Sequence, residues 1–252
     1  MIALIDADSL LYKVGFAIED KVTWNQFDVE AGIEDEADVE YYTDIQQCKD
    51  TLEHLIDNIL FATDCEKALL VFSGEGNFRL SLPTAYKENR KESRRPLDYE
   101  ALLQHAKDTY DTITTTGMEA DDLVVYMKTS DPEEYILCAI DKDVLYQTVG
   151  AHYNYGRDEE TVVEEFEAIR FAYFQTLTGD ITDGYKGVPG IGPKKAEKIL
   201  SGCKTEAELW EAVVSTYETH NMTKEDAVWT MRLANMHQYN GSEIVLWEPP
   251  DK

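Results

Sequence analysis

The chain has 252 residues, of which 43% are hydrophobic and 11% aromatic, enough to bury a full core as one domain with a subdomain. Fifty acidic residues face 23 basic ones, a net charge of −27, which taken alone argues against a nucleic-acid partner, because phosphates need cations. Cys48, Cys65, Cys138 and Cys203 are dispersed without a C-x-x-C, and the apolar runs stop far short of a membrane span, so a zinc or disulfide framework and a membrane protein are both disfavoured.

The opening MIALIDADSLLYK has an early Asp and no basic region, so a cytoplasmic rather than a secreted protein is expected; a monomer is expected as well. The apolar run at 2–5 predicts a buried strand that ends at Asp6. Residues 19–44 are polar and weakly periodic and read as an excursion. From Ile45 to Leu60, apolar residues recur at helical spacing, with Asp44 and Gln47 set as a capping box. ALLVF at 68–72 predicts a second buried strand, followed by a basic, polar stretch. A helix over Leu97–Tyr110, a Thr-rich strand at 112–116, a helix over Glu119–Lys128 and a strand at 135–140 follow. Strand and helix alternate, which predicts an α/β fold with a mostly parallel sheet flanked by helices. Beyond about Glu160 the pattern is helical, with starts at Thr205/Glu208 and Thr223/Asp226 and a last short strand at Glu243–Trp247.

Acidic residues stand just past the strand ends: Asp6, then Glu119, Asp121 and Asp122 in GMEADDL, then Asp141 and Asp143 in AIDKDVL. In an open parallel sheet, ligands bind outside the carboxyl ends of the strands, so these groups are expected to converge. Asp180 and Asp183 in GDITDG add a further pair. So many carboxylates in one place repel unless hard divalent cations neutralise them. Two such ions, Mg²⁺ or Mn²⁺, suit phosphodiester cleavage. An Asp after a strand is also a common helix cap, a reading open to Asp121 and Asp143.

Positive charge is scarce but concentrated. FRLSLPTAYKENRKESRRP carries Arg79, Lys87, Arg90, Lys91, Arg94 and Arg95, with Phe78 and Tyr86 among them. Cations around an aromatic platform suit the end of a DNA strand. In YKGVPGIGPKKAEKIL, glycines and prolines make a turn and Lys194, Lys195 and Lys198 follow on a helix. This reads as a helix–hairpin–helix, whose backbone N–H groups can approach phosphates.

These motifs resemble those of the 5′-nuclease family: flap endonucleases, the 5′-nuclease domain of bacterial DNA polymerase I, and phage 5′→3′ exonucleases. The match runs in order through LIDADSLLYK, FRLSLPTAYKENRK, GMEADDL, AIDKDVL and GDITDGYKGVPGIGPKKAEKIL. Within the family it is most similar to the gene-six exonucleases of short-tailed T-odd phages, on GDITDGY and MRLANMHQYNGSEIVLWEPP. The resemblance implies a PIN-like catalytic core over 1–160, with a short arch near 79–117, and a helical DNA-binding subdomain over 161–252. It implies metal ligation by Asp6, Glu119, Asp121, Asp122, Asp141, Asp143, Asp180 and Asp183. Lys87 and Arg90 would contact the reacting phosphate, with Tyr86 near the DNA end. Arg79, Lys91, Arg94 and Arg95 are further expected DNA contacts. Gly190, Gly192, Lys194 and Lys195 would grip the duplex, with K⁺ at the hairpin. The substrates implied are double-stranded or nicked DNA with a 5′ end and RNA primers paired to DNA, with phage replication proteins as partners. The family's usual Asp after the second strand is absent from VFSGEGNFR, where Ser73, Gly74 and Glu75 stand instead. A PIN-type ribonuclease and a non-enzymatic acidic DNA mimic remain as alternatives.

Overall fold

The structure, a computed structural model, describes residues 1–25, 29–30, 32, 38–84, 86–88 and 94–250. The expected DNA contacts Arg90 and Lys91 lie outside the described residues. In chain order, the first half comprises β1 (Ile2–Asp6), α1 (Asp8–Ile18), β2 (Asp20–Thr23), β3 (Val39–Tyr42), α2 (Ile45–Thr63), β4 (Lys67–Phe72), a 3₁₀ turn (Phe78–Ser81), α3 (Tyr99–Thr109) and β5 (Asp111–Thr114). The second half comprises α4 (Ala120–Ser130), β6 (Tyr135–Ala139), α5 (Lys142–Tyr146), β7 (Gly150–Asn154), β8 (Glu159–Val163), α6 (Glu165–Thr178), β9 (Gly179–Asp180), β10 (Tyr185–Lys186), α7 (Pro193–Leu200), α8 (Glu206–Thr219) and α9 (Lys224–Ala234).

The main sheet runs β5-β4-β1-β6-β7-β8. Neighbours from β5 to β7 are parallel, and β8 returns antiparallel to β7. The central strand β1 is buried on both faces, as a parallel strand covered by helices must be. Its alternation divides two cores. Ala3 and Ile5 join Leu70, Phe72 and Cys138 under α1, α2 and α3. Leu4 joins Val71, Leu137 and Ala139 under α4 and α5. A third core, around Tyr173, Leu209, Val213, Tyr217 and Met231, joins α6 to α9.

Local signals explain the helix starts. The Asp44 carboxylate accepts the N–H groups of Gln46 and Gln47 at 2.9 and 3.1 Å, so it caps α2. Thr205 with Glu208, and Thr223 with Asp226, make reciprocal capping boxes on α8 and α9. Three elements differ from the sequence expectation. The excursion after α1 contains the antiparallel pair β2–β3. The β7–β8 hairpin extends the sheet over Gly150–Val163, where the sequence pattern announces no strand. Glu243–Trp247 forms no strand, only an isolated bridge from Tyr239 to Ile244. There Trp247 turns inward to pack on Trp210 and Tyr173 instead.

Candidate active site

The carboxyl ends of β1, β4 and β6 open into a cavity of about 790 Å³. Asp6, Asp8, Ser73, Lys87, Glu119, Asp121 and Asp141 line it, together with Tyr12, Phe16, Arg94, Arg95 and Tyr99. After β1 and β6 the chain turns directly into a helix, and Glu119 and Asp121 stand at the start of the helix that follows β5, which puts these side chains at one rim. Gly74 is needed there because a Cβ would lie 2.0 Å from the Thr115 carbonyl oxygen.

Burial and mutual repulsion set the electrostatics. Asp6 is 4% exposed, and its Oδ1 has no hydrogen-bond partner. Burial first, then the charges of Asp8 and Asp141, push its carboxyl well above the usual range. Asp121 is raised in the same way, by burial and then by Asp6, Glu119 and Asp141. Glu119 is held low: burial opposes its charge, but Lys87 and Arg79 outweigh that. The Lys87 ammonium donates to Glu119 Oε1 at 2.5 Å and lies 3.7 Å from Asp183 Oδ1. Lys87 has φ +51°, and its N–H donates to the Asp183 carbonyl at 2.7 Å. A non-glycine residue in this region is strained and needs its surroundings to hold it.

A second acidic group adjoins the first. Lys142 pairs with Asp180 and lies 3.1 Å from Asp143 Oδ1. Asp143 is pushed up to about 6, mainly by burial and then by Asp141, with Lys142 opposing. Asp180 is held low, because Lys142 and the N–H groups of Asp183 and Thr182 outweigh its burial. Asp141 accepts the Asp143 N–H at 2.8 Å, so it also caps α5. Among the described residues, no three His, Cys, Asp or Glu side chains are gathered as a closed metal site. Lys87 and Lys142 instead sit between the carboxylates.

No family model matches the chain. The bacteriophage T7 exonuclease is 26% identical over 223 residues, 72% of this chain and 73% of that protein. Solved structures share the fold. The bacteriophage T5 D15 flap endonuclease, in a pseudo-enzyme-product complex with DNA and metal ions, has a TM-score of 0.67 at 16% identity, covering 94% of this chain and 90% of that one. The catalytic core of Rad2 with DNA substrate has a TM-score of 0.52 at 13% identity, covering 93% of this chain and 72% of that one. A flap endonuclease Xni of Vibrio parahaemolyticus is 30% identical over 176 residues, 63% of this chain and 68% of that protein. The chain belongs to the 5′-nuclease family.

The residues expected from the 5′-nuclease resemblance do not all fall together. Asp6, Glu119, Asp121, Asp141 and Lys87 line one cavity, while Asp143, Asp180 and Asp183 flank it through Lys142, Lys87 and Tyr86. Asp122 and Arg79 need correction. Both side chains are fully buried, and Arg79 grips Asp122 through two bonds of 2.7 and 2.8 Å. Its Nε–H and its other Nη2–H reach the carbonyls of Leu233 and Asn235, and Nη1 lies 3.8 Å from Glu119 Oε2. Asp122 therefore has no oxygen turned toward a cation, and Arg79 has no face for a phosphate. Tyr86 is corrected as well. Its ring is buried against Tyr185, Leu233 and Ala234, and its hydroxyl donates to Glu119 at 2.6 Å. It cannot stack on a base.

The aromatic platform lies elsewhere. Asp8, Tyr12 and Phe16 follow one another at i, i+4 along α1 and all line the cavity. Arg94 lies over Phe16 and, at 4.0 Å, over Tyr41, and it pairs with Glu19. Arg95 lies 4.6 Å from the Tyr99 ring centre. The helical spacing of Asp8, Tyr12 and Phe16 was the available signal, but an aromatic stripe reads first as core. Glu75 is exposed and is not among the residues lining the cavity. At the turn before α7, Gly190 has φ +76° and Lys194 is exposed, while the Lys195 ammonium folds back onto the Gly190 carbonyl at 2.8 Å. Gly187 packs on Gly179, where a Cβ would meet backbone at 2.3 Å.

Proposed function

We propose that this chain is a divalent-metal-dependent 5′→3′ exonuclease and flap-type endonuclease. It hydrolyses phosphodiester bonds of DNA, and of RNA primers paired to DNA, from 5′ ends during phage replication. The observation that carries this reading is the convergence of Asp6, Glu119, Asp121 and Asp141 on one cavity beside Lys87. Its relatives in phages T7 and T3 bear the names exonuclease and exodeoxyribonuclease, which supports both the reaction and the setting.

The donor set fits Mg²⁺ or Mn²⁺, two ions being the number expected. Every donor is a carboxylate oxygen, and Asp6 Oδ1 is buried without a hydrogen-bond partner. Asp6, Asp121 and Asp141 would hold one ion, and Asp143, Asp180 and Asp183 would complete the second. Bound cations supply an acidified water and a Lewis acid at the phosphoryl oxygens. Lys87 would leave Glu119 to hold the reacting phosphate, and Arg90 is proposed as a second contact to it. Arg94 and Arg95, backed by Phe16 and Tyr99, would take the phosphates and bases of the 5′ end. Helices α6 and α7 with the turn between them would act as the helix–hairpin–helix, with Gly190, Gly192 and Lys194 against duplex phosphates and K⁺ on the turn's carbonyls. Hydrolysis of a 5′-labelled duplex in Mg²⁺, and none in EDTA, is the expected result. Equal activity in both would overturn the reading.

A further inference from the structure

The sheet topology leaves one side of Asp6 without a strand-end carboxylate. β1 lies between β4 and β6. On the β6 side the chain turns at Asp141. On the β4 side it turns at Ser73 and Gly74, which carry no charge, and Glu75 is exposed away from the cavity lining. Asp8 fills this side. It is the first residue of α1, and its carboxylate reaches across to the end of β4, where it accepts the Ser73 N–H at 3.1 and 3.2 Å. The Ser73 hydroxyl oxygen accepts the Ala120 N–H at 2.8 Å, so α1, β4 and α4 are tied at this point. Asp8 lines the cavity beside Asp6, whose buried Oδ1 is unpartnered. One more carboxylate beside the four others that line this cavity adds repulsion there, and a bound cation offsets it.

We propose that Asp8 is a cation ligand of this cavity, directly or through water, supplying on the β4 side the carboxylate that Ser73 lacks. This rests on the nuclease reading above. The competing role is structural: an acidic residue at a helix start that satisfies one loop N–H. The two roles predict opposite losses. A structural Asp8 matters for stability without metal, whereas a ligand matters for metal affinity.

Titration calorimetry of Mn²⁺ into the metal-free full chain, without DNA, separates them. Asp8→Asn should weaken Mn²⁺ binding by roughly tenfold or more, with no loss of melting temperature in EDTA. Asp8→Asn combined with Ser73→Asp moves the carboxylate across the same gap and should recover most of the lost affinity. Unchanged Mn²⁺ affinity in Asp8→Asn overturns the proposal, as does lost affinity that the combined variant fails to recover. If Asp8→Asn does not fold, Asp8→Glu carries the test: it keeps the charge at the helix start but displaces it. Weaker Mn²⁺ binding by that variant supports the proposal, and wild-type affinity overturns it. A wild-type chain that binds no Mn²⁺ fails the nuclease reading itself, and this inference with it.

Discussion

Arg79 and Asp122 sit inside motifs rich in exposed charge, yet the two form a buried pair. Burial works against the Arg79 charge, and Asp122 more than offsets this, so the guanidinium is held above its ordinary range. Removing one partner leaves the other charge buried alone, a loss of about 3–5 kcal/mol. Arg79→Met should therefore lower stability by that order in urea unfolding in EDTA, and a loss below about 1 kcal/mol would contradict a buried pair. Lys87 is the contrasting residue. It borders the cavity, and Glu119, Asp183 and Asp121 raise its pKa against its burial. Lys87→Ala should cut turnover about 10²–10³-fold while changing duplex affinity in Ca²⁺ far less. Equal losses in both would make it a positioning contact. Asp143 gives a pH test. Its carboxyl rises from 3.8 to about 6, so between those values the folded chain keeps a proton that the unfolded chain has released. Its contribution to stability therefore falls as pH rises through that window and levels off above it. In EDTA, Asp143→Asn should gain melting temperature over the wild type from pH 4 to pH 6 and keep the lead at pH 7. A constant difference across that range would mean that Lys142 fully compensates the charge.

At the scale of elements, α7 and its turn carry a specific expectation about DNA. Lys194 is exposed on the first turn of the helix, whereas the Lys195 ammonium is engaged with Gly190. Binding of a blunt duplex in Ca²⁺ should lose roughly one unit of salt slope in Lys194→Ala and less in Lys195→Ala. If neither slope changes, the turn only joins two helices. Elements whose signals are local were legible in the sequence. The α8 and α9 boxes each lie within four residues, and the strands β1, β4 and β6 announce themselves as short apolar runs. The hairpins β2–β3 and β7–β8 were not legible. β8 reads Glu-Glu-Thr-Val-Val with Val162 68% exposed, because an edge strand pairs through one side and needs no continuous apolar run. Pairing to β7, rather than composition, makes it a strand.

For the whole molecule, the net charge of −27 misled only as an average. Lys87, Arg94 and Arg95 line one cavity and Lys194 and Lys195 stand at one turn, and part of the acidic excess lines that same cavity. Cation binding should therefore stabilise the chain as well as activate it. At a divalent concentration a hundred times Kd, one site adds about 2.7 kcal/mol. Melting in EDTA against Ca²⁺ or Mn²⁺ should show a clear rise, and Asp121→Asn should shrink that rise while raising the melting temperature in EDTA. Identical melting with and without divalent ions would remove the basis for a metal site here.

The sequence alone determined that carboxylates stand at successive strand ends, because the strand, its end and the following helix start all lie within a short window. It also determined the α/β alternation and the basic stretch, which are properties of neighbouring residues. Only the tertiary structure decided which charges face the cavity. Asp121 and Asp122 are adjacent in the chain, yet one lines the site and the other is closed by Arg79, 43 residues away. Helical geometry points neighbouring residues in different directions, and the choice between water, cation and buried arginine rests with whatever the chain brings opposite. The same holds for Asp8, which reaches Ser73 across 65 residues only because β1 and β4 pair side by side.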